Sequence, residues 1–114
     1  MSVFRKEQNR VHSMQGNHIA GVATPTSGAQ QVEMWHGRMD ANSATPPHSH
    51  DTEEVVLFLT GSGRATVADR EVRYHAGDTL ILPPRFRATL MREESASQAW
   101  SRLNRAFCSS LSES

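Results

Sequence analysis

The chain predicts an all-β fold, a sandwich or barrel of two antiparallel sheets, and three observations carry that expectation. Short apolar stretches recur with turn residues about every eight to twelve positions, the spacing of strands rather than helices. Glycine and proline mark the breaks at Gly61-Ser62-Gly63, Ala76-Gly77-Asp78 and Pro83-Pro84. A helical apolar period is absent through residue 92.

The elements follow in order. Residues 1–17 are polar and read as an arm or a short first strand. His18 to Thr24 reads as a strand closed by the turn formers Pro25, Ser27 and Gly28. Gln31 to Met39, rich in Val, Met and Trp, is the next strand, and Asp40 to Pro47 is a loop by composition. Pro46 and Pro47 fix backbone angles just ahead of His48.

Glu54 to Thr60 is the clearest strand. Glu54, Val56 and Phe58 alternate with Val55, Leu57 and Leu59, and both sets are largely apolar. Both faces are therefore expected to be buried, one toward a pocket, the other against a second sheet or a partner subunit. Gly61-Ser62-Gly63 makes a hairpin turn into strands at Arg64–Ala68 and Glu71–Tyr74. Thr79 to Leu82 is a short buried strand. Ser95 to Phe107 places Ala96, Ala99, Trp100, Leu103 and Phe107 at helical spacing, which predicts a C-terminal helix. Cys108 to Ser114 reads as a disordered tail. The expected division is an arm over 1–17, a barrel over 18–92 and a divergent segment over 93–114.

Composition narrows the partners. A chain of 114 residues is one domain. Twelve basic and twelve acidic residues give zero formal net charge, so the basic stripe of a nucleic-acid binder is not expected. Lys6 is the only lysine and Cys108 the only cysteine, so no disulfide framework forms within the chain. No apolar run approaches transmembrane length, and the chain is expected to be soluble and cytoplasmic. Ser43 and Ser49 lack a nucleophile-elbow context, and no phosphate-binding loop appears.

Chemistry concentrates at His48-Ser49-His50-Asp51-Thr52-Glu53-Glu54. A loop entering a strand holds His48 and His50 on one side, and Glu54, at an even offset from His50, faces the same interior. Two imidazoles and one carboxylate make a facial triad that leaves open positions on an octahedral metal, suited to Fe, Mn, Ni or Co, with Zn also allowed. Substrate, water or oxygen then binds the metal directly. His36, in the second strand, is a further candidate ligand, whereas His12, His18 and His75 are less favoured. Trp35, Met34 and Phe58 are candidates for an apolar pocket or for the core. Arg38 and Arg73 either project toward a ligand or are solvated.

The run from His48 through Glu54 to Gly61 has the spacing His-x-His-x3-Glu-x6-Gly and resembles the first motif of the cupin family. Gly77-Asp78-Thr79-Leu80-Ile81-Leu82-Pro83-Pro84 is similar to the start of its second motif. The resemblance spans roughly Val32 to Leu90 and implies a small single-domain cupin of the RmlC-like type, a jelly-roll of two antiparallel sheets, and a homodimer. The second motif then lapses. Arg85 replaces a glycine, Ala88 replaces the fourth metal ligand, and Arg92 replaces an asparagine; Asn42 also stands where the first motif opens on glycine. The resemblance carries over only His48, His50 and Glu54.

Three function classes stay open. The first is a metal-dependent enzyme of dioxygenase, isomerase, lyase or decarboxylase type acting on a small organic molecule, with Arg85 or Arg87 as candidate catalytic residues orienting a substrate carboxylate. The second is a non-catalytic cupin that holds a small ligand. The third is a degenerate cupin without metal. The expected partners are a small molecule and a second copy of the chain, with neither nucleic acid nor membrane.

Overall fold

The computed structural model describes residues 3–93 and 96–103. Nine strands form there: β1 (Val11–Met14), β2 (Asn17–Ala23), β3 (Val32–Met39), β4 (Glu54–Phe58), β5 (Ser62–Val67), β6 (Arg70–His75), β7 (Thr79–Leu82), β8 (Ala88–Arg92) and β9 (Ala96–Leu103). They make a six-stranded sheet in the order β1-β2-β3-β9-β4-β7 and a three-stranded sheet in the order β6-β5-β8. Every pairing is antiparallel. The two-sheet all-β architecture is the one the sequence predicts.

Local chemistry sets the hairpins. Gln15 and Gly16 link β1 to β2 with φ of 51° and 83°, and Ala68 and Asp69 link β5 to β6 with φ of 48° and 67°. Two successive positive φ values are what a two-residue hairpin needs to match strand twist. Only Gly16 adopts this conformation without steric cost.

Inward residues of both sheets form one core. It contains Met39, Val56, Phe58, Ala65, Tyr74, Leu82, Ala88 and Leu90, with Val67 and Leu80 packed against it. The Phe58 and Tyr74 rings stack with centroids 3.8 Å apart and planes 12° from parallel. The Tyr74 hydroxyl donates to the Met91 carbonyl at 2.9 Å. Burial holds the Tyr74 phenol above its ordinary pKa, against the opposing pull of Arg92. Arg92 is itself buried to 1%. Its Nη2 donates to the Thr60 carbonyl at 3.0 Å, and its guanidinium carbon stands 5.2 Å from the Tyr74 ring centroid.

Two expectations are corrected. The segment expected to be a helix is strand β9 over Ala96–Leu103; Leu103 is its last residue, and Phe107 with the expected disordered tail lies outside the described residues. β9 bonds to β3 along its whole length and to β4 along most of it. Pairing on both edges outweighs a local helical pattern, because strand preference is set by neighbours more than by the segment itself. The second correction concerns β4. Glu54, Val56 and Phe58 are buried as expected, but Leu57 is 40% and Leu59 42% exposed in the single chain. Val32 and Met34 of β3 and Ile81 of β7 are exposed as well.

Candidate functional site

The loop from Asp40 to Glu53 is fastened to β8 and to the turn before it, and this positions the donors. Asn42 N–H bonds the Arg92 carbonyl at 3.1 Å, and Thr45 N–H bonds the Leu90 carbonyl at 2.9 Å. Leu90 N–H returns to Thr45 Oγ1 at 2.9 Å. His48 exchanges both backbone bonds with Ala88, at 3.2 and 2.9 Å, and Arg85 N–H bonds the His50 carbonyl at 2.7 Å. A loop with its backbone groups satisfied in this way holds its side chains in register. Ala88, where the cupin motif has its fourth ligand, stands directly opposite His48 and is buried.

The histidine rings meet edge to face, with centroids 4.9 Å apart and planes at 80°. His48 Nδ1 lies 2.8 Å from the Pro46 carbonyl. A carbonyl only accepts, so Nδ1 carries the proton, and in the neutral ring Nε2 is left with the lone pair. Metal-ligating histidines typically have this arrangement, one nitrogen donating to a carbonyl while the other faces the ion. His50 Nε2 lies 3.4 Å from Glu54 Oε2, and the Glu54 side chain is buried to 8%. As the side chains stand, no group of three His, Cys, Asp or Glu among the described residues is gathered tightly enough to hold a metal ion. The donor types fit a metal; the assembled shell is a pair plus a neighbouring ring.

All three donors open on one cavity of about 270 Å³. Ile19, Trp35, Met39, Val56 and Leu90 give it apolar walls, while Asn17, Arg38 and Thr45 join the donors as its polar members. Among the predicted pocket residues, Trp35 takes that role, Phe58 belongs to the core, and Met34 is exposed. His36 is exposed and pairs with Ala20 in register, on the β3 face opposite to the pocket-lining Trp35 and Gly37. Arg85 and Arg87 are exposed and line no part of this cavity. Arg85 has φ of 65°. Of the remaining histidines, His75 lies 3.8 Å from Asp78, and His12 is exposed on β1.

His18 belongs to a polar chain on the face of β2 and β3 opposite to the pocket-lining Ile19 and Gly37. Ser13 Oγ lies 2.7 Å from His18 Nδ1, and His18 Nε2 lies 3.1 Å from Asp40 Oδ1. Arg38 Nη1 donates to the same oxygen at 2.9 Å. The His18 hydrogen bond, with the Arg38 charge assisting, holds the Asp40 carboxyl below its ordinary pKa. Asn17, Ile19 and Thr45 were not singled out in the sequence. Thr45 lies within the Asn-Ser-Ala-Thr stretch that marked a loop, and nothing in its spacing separates it from a turn residue.

Comparison with known proteins agrees with this geometry. Residues 35–88 match the family model described as Cupin domain. Auxin-binding protein 4 from Zea mays is 29% identical over 68 residues, which cover 59% of this chain and 33% of that protein. The chain thus spans about a third of the length of that curated relative. An RmlC-like cupin from Shewanella frigidimarina superposes with a TM-score of 0.80 at 14% identity, covering 94% of this chain and 96% of that one. Oxalate decarboxylase from Bacillus subtilis, a protein with Mn(II) centres, superposes with a TM-score of 0.81 at 16% identity, over 89% of this chain and 29% of that one. The likeness to these structures is one of fold. With the family model spanning His48 to Ala88 and the sheets arranged as in RmlC-like cupins, the chain carries a cupin domain.

Proposed function

We propose that the cavity is a divalent-metal site for a small organic molecule, with His48, His50 and Glu54 as the metal-holding residues. One observation supports it above the others: all three donors predicted from the sequence border the same apolar cavity, and His48 has its Nδ1 tied to Pro46 so that Nε2 is the available donor. A bound metal of the Mn, Fe, Co, Ni or Zn group supplies Lewis acidity and open coordination positions. The chain's own part is to hold the donors, to exclude water with Ile19, Trp35 and Val56, and to keep Glu54 beside His50. On this reading the reaction is of dioxygenase, isomerase, lyase or decarboxylase type. Arg85 and Arg87, exposed at the loop that follows β7, have no part in it.

A second reading, a non-catalytic ligand-binding cupin, is favoured by Ala88 and by the His50–Glu54 pair, which already satisfies two of the three donors. The curated relative named for binding auxin supports that class. Elemental analysis of untagged protein purified without chelator separates the two. Stoichiometric metal that is lost in His50→Ala while the sheet signature persists supports the metal site. A protein that is empty and refuses added Mn(II), Fe(II) and Zn(II) leaves the binding module.

Leu57, Met34 and Ile81, apolar and exposed on the large sheet, support a homodimer through that sheet. Light scattering at micromolar concentration tests it, and a monodisperse monomer overturns it.

A further inference from the structure

We infer that Asn17 reads the ligand of the cavity, and that this ligand is an uncharged small molecule carrying a carboxamide on an apolar body. The inference rests on the cavity being the site of a small organic molecule. It adds the ligand's charge, its polar group and the residues that recognise it.

The neighbours of Asn17 fix which way its amide points. Strand alternation puts Asn17 and Ile19 on one face of β2, in register with Met39 and Gly37 of β3, and all four line the cavity. Asn17 Nδ2 donates to the Ala44 carbonyl at 3.1 Å and lies 3.4 Å from the carbonyls of Met14 and Gln15. Carbonyls only accept, so the nitrogen and not the oxygen occupies that end. Oδ1 is thereby turned the other way, and no hydrogen bond within the described residues engages it. Asn17 is only 7% exposed. Polar atoms buried this deeply are normally paired, so an acceptor left free in a cavity wall is set to receive a donor from whatever fills the cavity.

Thr45 supplies the complementary group. It follows Ala44, whose carbonyl holds Asn17, and it lines the cavity too. Its Oγ1 accepts from Leu90 N–H at 2.9 Å, which leaves the hydroxyl proton for a ligand acceptor. One fixed acceptor beside one donor matches the N–H and C=O of a carboxamide. A carboxylate fits worse, since it has no proton to give Asn17 and would set lone pair against lone pair. No fixed cation offsets this. Arg38 borders the cavity within β3, but its side chain stands on the opposite face, in register with His18 and bonded to Asp40 at 2.9 Å. The body of the ligand meets Ile19, Trp35, Met39, Val56 and Leu90. Trp35 Nε1–H is also unpaired among the described residues, but it is buried within the wall with no surface open to a ligand. A volume of about 270 Å³, just below the roughly 300–1,000 Å³ of pockets for drug-sized ligands, holds one ring with its amide.

Benzamide, acetophenone and benzoate are the probes. They share a shape, but acetophenone lacks the donor and benzoate carries a charge. Each is titrated calorimetrically into the parent, Asn17→Ala and Thr45→Val proteins, as purified and again after chelator treatment. The parent should bind benzamide about tenfold or more tighter than acetophenone in both states, and tighter than benzoate once chelated. Asn17→Ala should bring benzamide down to the acetophenone level while acetophenone affinity holds. Thr45→Val should weaken benzamide and acetophenone alike, since both offer a carbonyl. Asn17 also ties the chain at three carbonyls, so circular dichroism checks its variant. A second readout needs no variant: the Asn17 side-chain amide signal in a nitrogen-15 correlation spectrum of the parent should move further with benzamide than with acetophenone. Equal affinity of the parent for these two probes overturns the inference and leaves the cavity a binding site. Benzoate binding tighter than benzamide after chelation overturns the uncharged ligand. A benzamide preference that survives Asn17→Ala, or an Asn17 signal that benzamide leaves in place, overturns the role of Asn17. If no probe binds at millimolar concentration, the cavity itself is refuted as the ligand site.

Discussion

Adding one methyl group at Gly63 should unfold much of what the two sheets share. Gly63 sits on β5 between Tyr74 of β6 and Arg92 of β8. A Cβ there would run into the Met91 carbonyl oxygen and the Tyr74 hydroxyl, and would stand 2.7 Å from Tyr74 Cζ. None of these is the end of a flexible side chain. The Met91 oxygen is strand backbone, and the Tyr74 ring is stacked on Phe58. Relief requires β8 to move off β5 or Tyr74 to leave the core. Overpacking of a filled interior costs about 1–3 kcal/mol, and loss of the Tyr74–Met91 hydrogen bond adds about 1 kcal/mol. Gly63→Ala should therefore destabilise by about 3 kcal/mol, or ~12–24 °C in Tm for a domain of this size. Urea titration of Gly63→Ala, Tyr74→Phe and the double variant provides the assay. Tyr74→Phe removes the clashing oxygen but leaves the carbonyl clash, so in that background the Gly63→Ala cost should shrink by about 0.5–1.5 kcal/mol. Two outcomes would sink the packing account: a Gly63→Ala cost under about 0.5 kcal/mol, or strictly additive costs in the double variant.

Four other perturbations follow from the same geometry. Arg92→Met replaces a buried cation, whose Nε and Nη1 find no partner among the described residues, by an apolar chain of similar length; stability should hold or rise, as for other buried charges replaced by well-packed apolar groups, and a loss above about 2 kcal/mol in urea would contradict it. Ala68→Asn places a residue tolerant of positive φ in the β5–β6 turn and should raise Tm by several degrees, since an alanine there carries about 1–2 kcal/mol of strain; an unchanged Tm counts against that strain. Asp40 has a folded-state pKa below its usual 3.8, so its contribution to stability is present above pH ~4 and is lost as pH falls through the folded value. Asp40→Asn should accordingly flatten the acid limb of the stability profile below pH ~4, and an unaltered limb argues against the His18 bond. Leu57→Arg, on the open face of β4, should convert a dimer to monomer in light scattering without lowering the monomer's β-signature.

How far the fold was legible depends on where each segment's information resides. β4 carries its own signal, an apolar run from Glu54 closed by glycine, and the structure buries Glu54, Val56 and Phe58 together. β9 carries a different signal. Its apolar residues recur at helical spacing, and its strand identity comes from β3 and β4, which lie far away in sequence and bond both of its edges. β8 follows a stretch in which the second motif fails, so its register against β5 had no local marker either.

The site divides along the same line. His48, His50 and Glu54 were legible because a loop pinned by prolines, followed by an even strand offset, fixes direction from sequence alone. Strand alternation likewise sends Trp35, Gly37 and Met39 inward and Arg38 out with His36, where its Nη1 donates to the Asp40 carboxylate at 2.9 Å. Arg85 and Arg87 had the better motif position, yet Arg85 enters a positive-φ turn and both side chains finish in solvent. A motif position fixes where a residue falls along the chain, whereas the backbone conformation at Arg85 decides which way its side chain leaves the turn.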